Sequence, residues 1–406
     1  MTGGYLVLKK IIIYSLLFAI IFTMPIASTV LAGADSDVEV FTQTSGSGNA
    51  LNLKAKGAIL IDGTTGTVLF EHNSRERLPM ASVTKIMTML LTMEAIDTGR
   101  ISYDDMIPAS PHAISIGTTQ LWLKEGEEFS VRDMLKAVTI RSANDAAIML
   151  AEKIAGSEEA FVAKMNEKAA ELGMKDTKFI DCSGLTDEGQ YSTAYDIAIM
   201  SRELLTKYPE IIEYTTKWHD TIRDGKTSLD NTNKLIRSYD GIIGLKTGYT
   251  EAAGYNLSAA AKRNNLMLIS VVLGEPDSNT RFRESAKLLD YGFANYELAD
   301  VNKKGEELLT IEVKKGLSKN VVGVLKSDVQ LLLPKGYKGK IERKVRAVEE
   351  LVAPVAEGQK IGEAVYLMDG KEINKADIVA QYGVEKTTFT RLLIKMLSMW
   401  FCIGRR

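Results

Sequence analysis

Apolar positions in this chain change period several times, and each change marks an element. Two β-type runs, Gly57-Ala58-Ile59-Leu60-Ile61 and Thr67-Val68-Leu69-Phe70, flank Asp62-Gly63-Thr64-Thr65-Gly66, whose turn chemistry predicts a hairpin. A helix is then expected to open at Ser82. Its Ile86, Met87, Met89, Leu90, Leu91 and Met93 cover more than one stripe, so it is predicted to be buried on most sides and to stop at Gly99. Ser130-Val131-Arg132-Asp133 is a capping box opening a short helix through about Thr139. After the loop Arg141-Ser142-Ala143-Asn144, a second helix starts at Asp145 and ends near Gly156, and an alanine-rich third runs from about Glu158 to Leu172. Strand patterns return at Gly241 to Gly248, Tyr255 to Ala261 and Leu266 to Leu273, followed by a closing helix over about Asn279 to Leu289. Strands, helices and strands again predict an α+β fold, an antiparallel sheet backed by helices. From about Leu308 short β runs broken by Gly and Pro, such as Val329-Gln330-Leu331-Leu332-Leu333-Pro334, predict a separate small β domain without a catalytic constellation.

The two ends carry different signals. Lys9 and Lys10, the apolar run Ile11 to Phe22, Pro25 and Ala32-Gly33-Ala34 (or Val30-Leu31-Ala32) form an export signal with a small-residue cleavage site. That run is shorter than the roughly 20 residues of a spanning helix, so the expectation is a cleaved signal and a protein working outside the cytoplasmic membrane. Phe389, Leu392, Leu393, Met396, Leu397, Trp400 and Phe401 recur at helical spacing, with Arg391, Lys395, Arg405 and Arg406 on the flanks. A basic, aromatic-bearing amphipathic helix of this kind lies in a membrane interface, the competing arrangement being docking on the chain's own β domain. The expected organisation is therefore a signal (1–34), a polar spacer (35–52), a catalytic domain (53–296), a small β domain (305–383) and an amphipathic membrane anchor (385–406).

Composition narrows the chemistry. The 406 residues carry a formal net charge of -2, which gives no electrostatic case for nucleic acid as partner. Only Cys182 and Cys402 are present, so no disulfide framework is indicated despite export, and no Cys/His cluster has metal-ligand spacing. No cofactor is expected. His72, His112 and His219 stand in polar or turn-like contexts and are read as surface residues, and there is no Gly-x-Ser-x-Gly elbow.

Three short motifs remain. Ser82-Val83-Thr84-Lys85 places a hydroxyl and an amine three residues apart, on one helical face, where a neutral lysine could take the serine proton. Ser142-Ala143-Asn144 falls in the interhelical loop, where capping alone would account for both residues. Lys246-Thr247-Gly248 lies in a strand-like run. Ser-x-x-Lys, Ser-x-Asn and Lys-Thr-Gly in that order form the signature set of penicillin-binding proteins and class A β-lactamases.

The surroundings are more specific. Phe179 to Leu185 with Gln190-Tyr191-Ser192-Thr193-Ala194-Tyr195-Asp196, and Asp240 to Thr250 with Ala253-Gly254 behind it, resemble the low-molecular-mass D-alanyl-D-alanine carboxypeptidases, as does essentially the whole chain. Gln190 stands where members of that family often have His. The resemblance implies a penicillin-binding/β-lactamase-like transpeptidase domain, peptidoglycan stem peptides as substrate and β-lactams as inhibitors. It implies Ser82 as nucleophile, Lys85 as its base, lowered in pKa by burial and by the charge of Lys246, and Ser142 as proton relay. Asn144 would hold Lys85 and the substrate amide, and the backbone N–H groups of Ser82 and Tyr249 would form the oxyanion hole. Lys246, Thr247 and either Arg281 or Arg283 would bind the terminal carboxylate, with Gly248 letting the strand approach the substrate. A β-lactamase would need a glutamate-activated water, and no Glu-x-x-Leu-Asn stretch supplies one. A penicilloyl-binding sensor that acylates without cutting peptides is the other competing class.

Overall fold

The computed structural model describes residues 51–186, 188–388 and 390. The expected export signal, nearly all of the spacer, and most of the expected anchor with Cys402 lie outside the described residues. Five antiparallel strands build the central sheet: β1 (Gly57–Asp62), β2 (Val68–His72), β3 (Ile242–Thr250), β4 (Gly254–Arg263) and β5 (Leu266–Glu275), in the order β2-β1-β5-β4-β3. The register pairs Ile59 with Val271 and Thr247 with Leu257, so the last strand in sequence binds the first.

Side chains alternate between faces along a strand. Here both faces are apolar. Ile59, Ile61, Ile269 and Val271 enter one core, while Ala58, Leu60, Leu268 and Val272 enter a second. This is why Leu266 to Leu273 reads as an unbroken apolar run. Helices α1 (Lys85–Asp97), α2 (Val131–Lys136), α3 (Asn144–Ala155), α4 (Glu158–Glu171) and α5 (Ala194–Lys207) contribute to the first core, and α6 (Ser278–Asn295) packs into the second. Four starts are capped by side chains: Ser130, Ser157, Thr193 and Asp277 accept from the N–H groups of Asp133, Ala160, Asp196 and Thr280.

Several boundaries differ from the pattern-based expectation. The α-helix predicted to open at Ser82 begins at Lys85; Ser82 stands in a 3-10 turn, Ala81–Thr84. The helix from Ser130 changes to a π turn at Ala137–Arg141 rather than stopping near Thr139, and Asn144 belongs to α3 rather than to the loop. The closing helix continues to Asn295 because Gly292 and Phe293 extend its buried stripe past Leu289. Helix α5 was not anticipated, although Thr193-Ala194-Tyr195-Asp196 carries an N-cap signal.

The β domain is a six-stranded sheet in the order Ile341–Ala347, Lys360–Met368, Lys371–Ala380, Asn320–Leu325, Glu307–Lys314, Leu351–Val352. The strand Tyr296–Asn302, starting at the expected end of the catalytic domain, pairs with Val329–Pro334. Tyr366 is fully buried, its hydroxyl 2.7 Å from Asn302 Oδ1. Among the described residues no helix is long and apolar enough to cross a membrane.

Candidate active site

Ser82 is presented by a sharp turn. Ala81 has φ +48°, a conformation L-residues avoid, and the Thr84 hydroxyl bonds back to the Ala81 carbonyl at 2.8 Å. In 3-10 geometry residues three apart eclipse, which aligns Ser82 with Lys85 more directly than an α-helix would. Lys85 Nζ lies 3.0 Å from Ser82 Oγ.

Two further acceptors hold that amine. Asn144 Oδ1 is 2.7 Å away, and the Ser183 carbonyl completes the set. The Asn144 amide cannot turn over, because its Nδ2 donates to the Gly117 carbonyl at 3.1 Å and to Thr118 Oγ1 at 2.7 Å. A neutral lysine has two N–H bonds and one lone pair. Asn144 Oδ1 and the Ser183 carbonyl can only accept, so they take the two N–H bonds and leave the lone pair to the Ser82 hydroxyl. Lys85 is fully buried, and burial lowers its pKa to about 8, against the opposing pull of Cys182, Asp181 and Asp145.

The Lys246 pKa is itself pushed well down, by its own burial, then by Lys85 and Arg281. Its Nζ donates to the Thr247 carbonyl at 3.0 Å.

The Ser183 carbonyl was not foreseen, and neither was the turn that aims it. Asp181 accepts from the N–H groups of Ser183 and Thr186, each at 2.7 Å, and from that of Gly184. Burial alone would raise the Asp181 pKa, but these backbone bonds outweigh it and hold it down. Gln190 Oε1 accepts from Ile180 N–H at 2.7 Å and Asp181 N–H at 3.0 Å, anchoring the same turn. Gly184 (φ +78°) is pressed against the serine turn: a Cβ there would meet the Ala81 carbonyl oxygen at 1.9 Å. Only glycine fits such an approach.

Strand β3 closes the other side. A Cβ on Gly248 would lie 2.7 Å from the Met80 carbonyl oxygen and 3.1 Å from Ser82 N. The glycine therefore serves the seating of the serine turn against the strand, beside the expected approach to substrate. Its neighbour Tyr249 is 54% exposed and packs against Tyr255, ring centroids 4.3 Å apart and planes tilted by 31°. Thr247 Oγ1 donates to Thr232 Oγ1 at 2.7 Å, and Thr232 N–H reaches the Ile140 carbonyl, tying β3 to the π turn before Ser142. Ser142 is buried with φ +67°, the left-handed end of that turn. No sequence signal marked Thr232.

Of the two arginines on α6, Arg281 faces β3. It is buried, donating to the Gly248 carbonyl at 3.2 Å and the Asn256 carbonyl at 3.3 Å, and burial lowers its pKa to about 10. Arg283 is exposed and donates to Thr280 Oγ1. His112 and His219 pair with Glu158 and Asp230 at the surface, away from Ser82's hydrogen-bond network. The arrangement offers a nucleophile, a base with a directed lone pair and buried cations: the parts of a serine acyl-transfer site.

Comparison with known proteins agrees. The family model described as D-alanyl-D-alanine carboxypeptidase matches residues 42–277, and that of the penicillin-binding protein 5 C-terminal domain matches residues 296–386. The D-alanyl-D-alanine carboxypeptidase DacF of Bacillus subtilis is 42% identical over 351 residues, 86% of this chain and 90% of its own length. Penicillin-binding protein 5 from Haemophilus influenzae superposes with a TM-score of 0.73 at 34% identity, covering 82% of this chain and 98% of that one. Penicillin-binding protein D2 from Listeria monocytogenes, in its ampicillin-bound form, has a TM-score of 0.55 at 35% identity, covering 59% of this chain and 98% of that one.

Proposed function

The chain belongs to the D-alanyl-D-alanine carboxypeptidase family, and from that footing we propose that it removes the terminal D-alanine of peptidoglycan pentapeptide stems through an acyl-enzyme on Ser82. The observation that carries this reading is the pair of acceptors seating Lys85, Asn144 Oδ1 and the Ser183 carbonyl, which leaves the lone pair of a neutral amine to Ser82. Ser82 Oγ attacks the carbonyl between the two D-alanines, and its proton passes to Lys85. The developing oxyanion is taken by the backbone N–H groups of Ser82 and Tyr249. The C–N bond then breaks, and the leaving amine receives the proton from Lys85 directly or through Ser142. Water next gives a proton to the same base and hydrolyses the ester.

Lys246, Thr247 and Arg281 hold the substrate's terminal carboxylate. The contact of Arg281 with the Gly248 carbonyl, against the exposed position of Arg283, supports that choice. β-Lactams mimic the D-Ala-D-Ala end and acylate Ser82, a reading supported by the ampicillin-bound relative. The N-terminal signal and the basic amphipathic tail support a position outside the cytoplasm, held peripherally on the outer face of the membrane and acting in cell wall biogenesis.

The test is D-alanine release from diacetyl-Lys-D-Ala-D-Ala by the purified mature protein, with penicillin labelling alongside. Ser82→Ala is expected to abolish both. Labelling without release by the unaltered protein would mark a penicilloyl-binding sensor, and rapid turnover of penicillin a β-lactamase.

A further inference from the structure

Trp122 is 76% exposed, the most exposed large apolar side chain among the described residues, although its neighbours Leu121 and Leu123 are buried. Its backbone has φ +58°, a region that bulky residues avoid. The segment is fastened in this form. Leu121 N–H donates to Asp145 Oδ2 at 2.7 Å, and the Leu121 carbonyl accepts from Arg223 Nη1 at 3.1 Å. Arg223 is itself paired with Glu127 at 2.7 Å. The indole is thus held outward by a rigid loop rather than left over by a loose one.

The same loop forms a wall of the site. The Thr119 carbonyl accepts from Asn144 N–H at 2.8 Å, and Gly117 and Thr118 fix the Asn144 amide that seats Lys85. Three residues of chain span at most about 11 Å, so Trp122 stands within that distance of the wall at Thr119. The other strongly exposed aromatic of the site, Tyr249, rises from the end of β3.

We propose that Trp122 is a substrate-positioning residue whose indole face receives the sugar ring that carries the stem peptide, steadying a glycan-linked stem over Ser82 and Lys85. The inference rests on the carboxypeptidase reading and adds to it the carbohydrate end of the substrate. Four extended residues separate the scissile carbonyl from the sugar, about 14 Å, so a group that meets the sugar has to stand out from the reacting pair, as Trp122 does three residues along the chain from the wall at Thr119. A pyranose ring offers a face of C–H groups, electropositive and apolar, which complements the negative face of an indole. A short peptide mimic ends before it reaches that face.

The experiment compares Trp122→Ala, Trp122→Phe and the unaltered full chain on three substrates: a disaccharide-pentapeptide, the free pentapeptide and diacetyl-Lys-D-Ala-D-Ala. Trp122→Ala is expected to lower kcat/KM on the disaccharide-pentapeptide about tenfold, through KM, with Trp122→Phe recovering most of it. The two peptides, which do not reach the indole, should be cleaved alike by all three proteins, and penicillin should acylate them equally fast. An equal loss on all three substrates would make Trp122 a loop-packing residue. A loss on the free pentapeptide as large as on the glycosylated one would move the contact to the peptide. No loss on any substrate would remove the contact altogether. Each of these overturns the proposal, whereas failure of the unaltered protein to release D-alanine from any substrate would overturn the carboxypeptidase reading beneath it.

Discussion

Replacing Asn144 by Asp puts a carboxylate where an amide oxygen now sits 2.7 Å from Lys85 Nζ, and the result can be read from a pH profile. In the native site burial brings the Lys85 pKa from the usual 10.5 to about 8. At pH 7 roughly one molecule in ten then carries a neutral, basic amine, against about one in three thousand at the ordinary value. That difference corresponds to about 3 kcal/mol of stabilisation of the reactive form. The rate constant for acylation by a slow β-lactam, measured from about pH 5.5 to 10, should rise tenfold per pH unit and level off near pH 8. An opposite charge within about 4 to 6 Å favours the ammonium form, so Asn144→Asp should move the inflection up by about 1 to 3 pH units. At pH 7 its acylation should fall about 10- to 1,000-fold, recovering as the pH is raised. Asn144→Ala removes the acceptor without adding charge and should not recover in this way. A profile flat between about pH 6 and 9, or the same inflection in both proteins, would refute Lys85 as the base.

Three other outcomes are expected. Gly184→Ala drives a methyl group into the Ala81 carbonyl at a residue with φ +78°, and should cost about 3 kcal/mol or more in denaturant unfolding together with most penicillin labelling; near-native values for both would show that the serine turn tolerates displacement. Arg281→Leu should weaken kcat/KM about 10- to 100-fold on substrates ending in a free carboxylate and much less on their amides, while Arg283→Ala should leave both alone. Glu275 is buried beside Glu284, and burial, then Glu284, raises its pKa from 4.5 to about 9. The folded state keeps a proton that the unfolded chain releases above about pH 4.5, so stability falls as pH rises from there through about 9. Glu275→Gln carries no such proton, so its unfolding free energy should decline less between about pH 5 and 8, by a few kcal/mol; parallel curves for the two proteins would exclude that linkage.

Much of this was legible along the chain because it is local. The β1–β2 hairpin, the long buried helix, the strands β3 to β5 and the caps at Ser130 and Gly156 follow from period, turn chemistry and capping residues within a few positions. Ser82 and Lys85 are three apart, so the chain itself fixes their contact, and the order of the three motifs points to the candidate site from sequence alone. Local patterns also mislead where tertiary packing decides geometry. The 3-10 turn at Ala81–Thr84 and the π turn at Ala137–Arg141 replace regular helix where Gly184, Gly248 and Thr232 crowd or tie the backbone.

What only the folded chain decided is how the lysine is seated. Its two acceptors come from residues 59 and 98 positions away, and the Gln190 amide, the Asp181 turn and the choice of Arg281 over Arg283 likewise depend on segments meeting. A periodicity records which face of an element is apolar, but not which carbonyl of a distant turn will point at an amine. Sequence determined that a serine and a lysine lie side by side. Burial and two distant oxygens decided which way the lysine's lone pair faces.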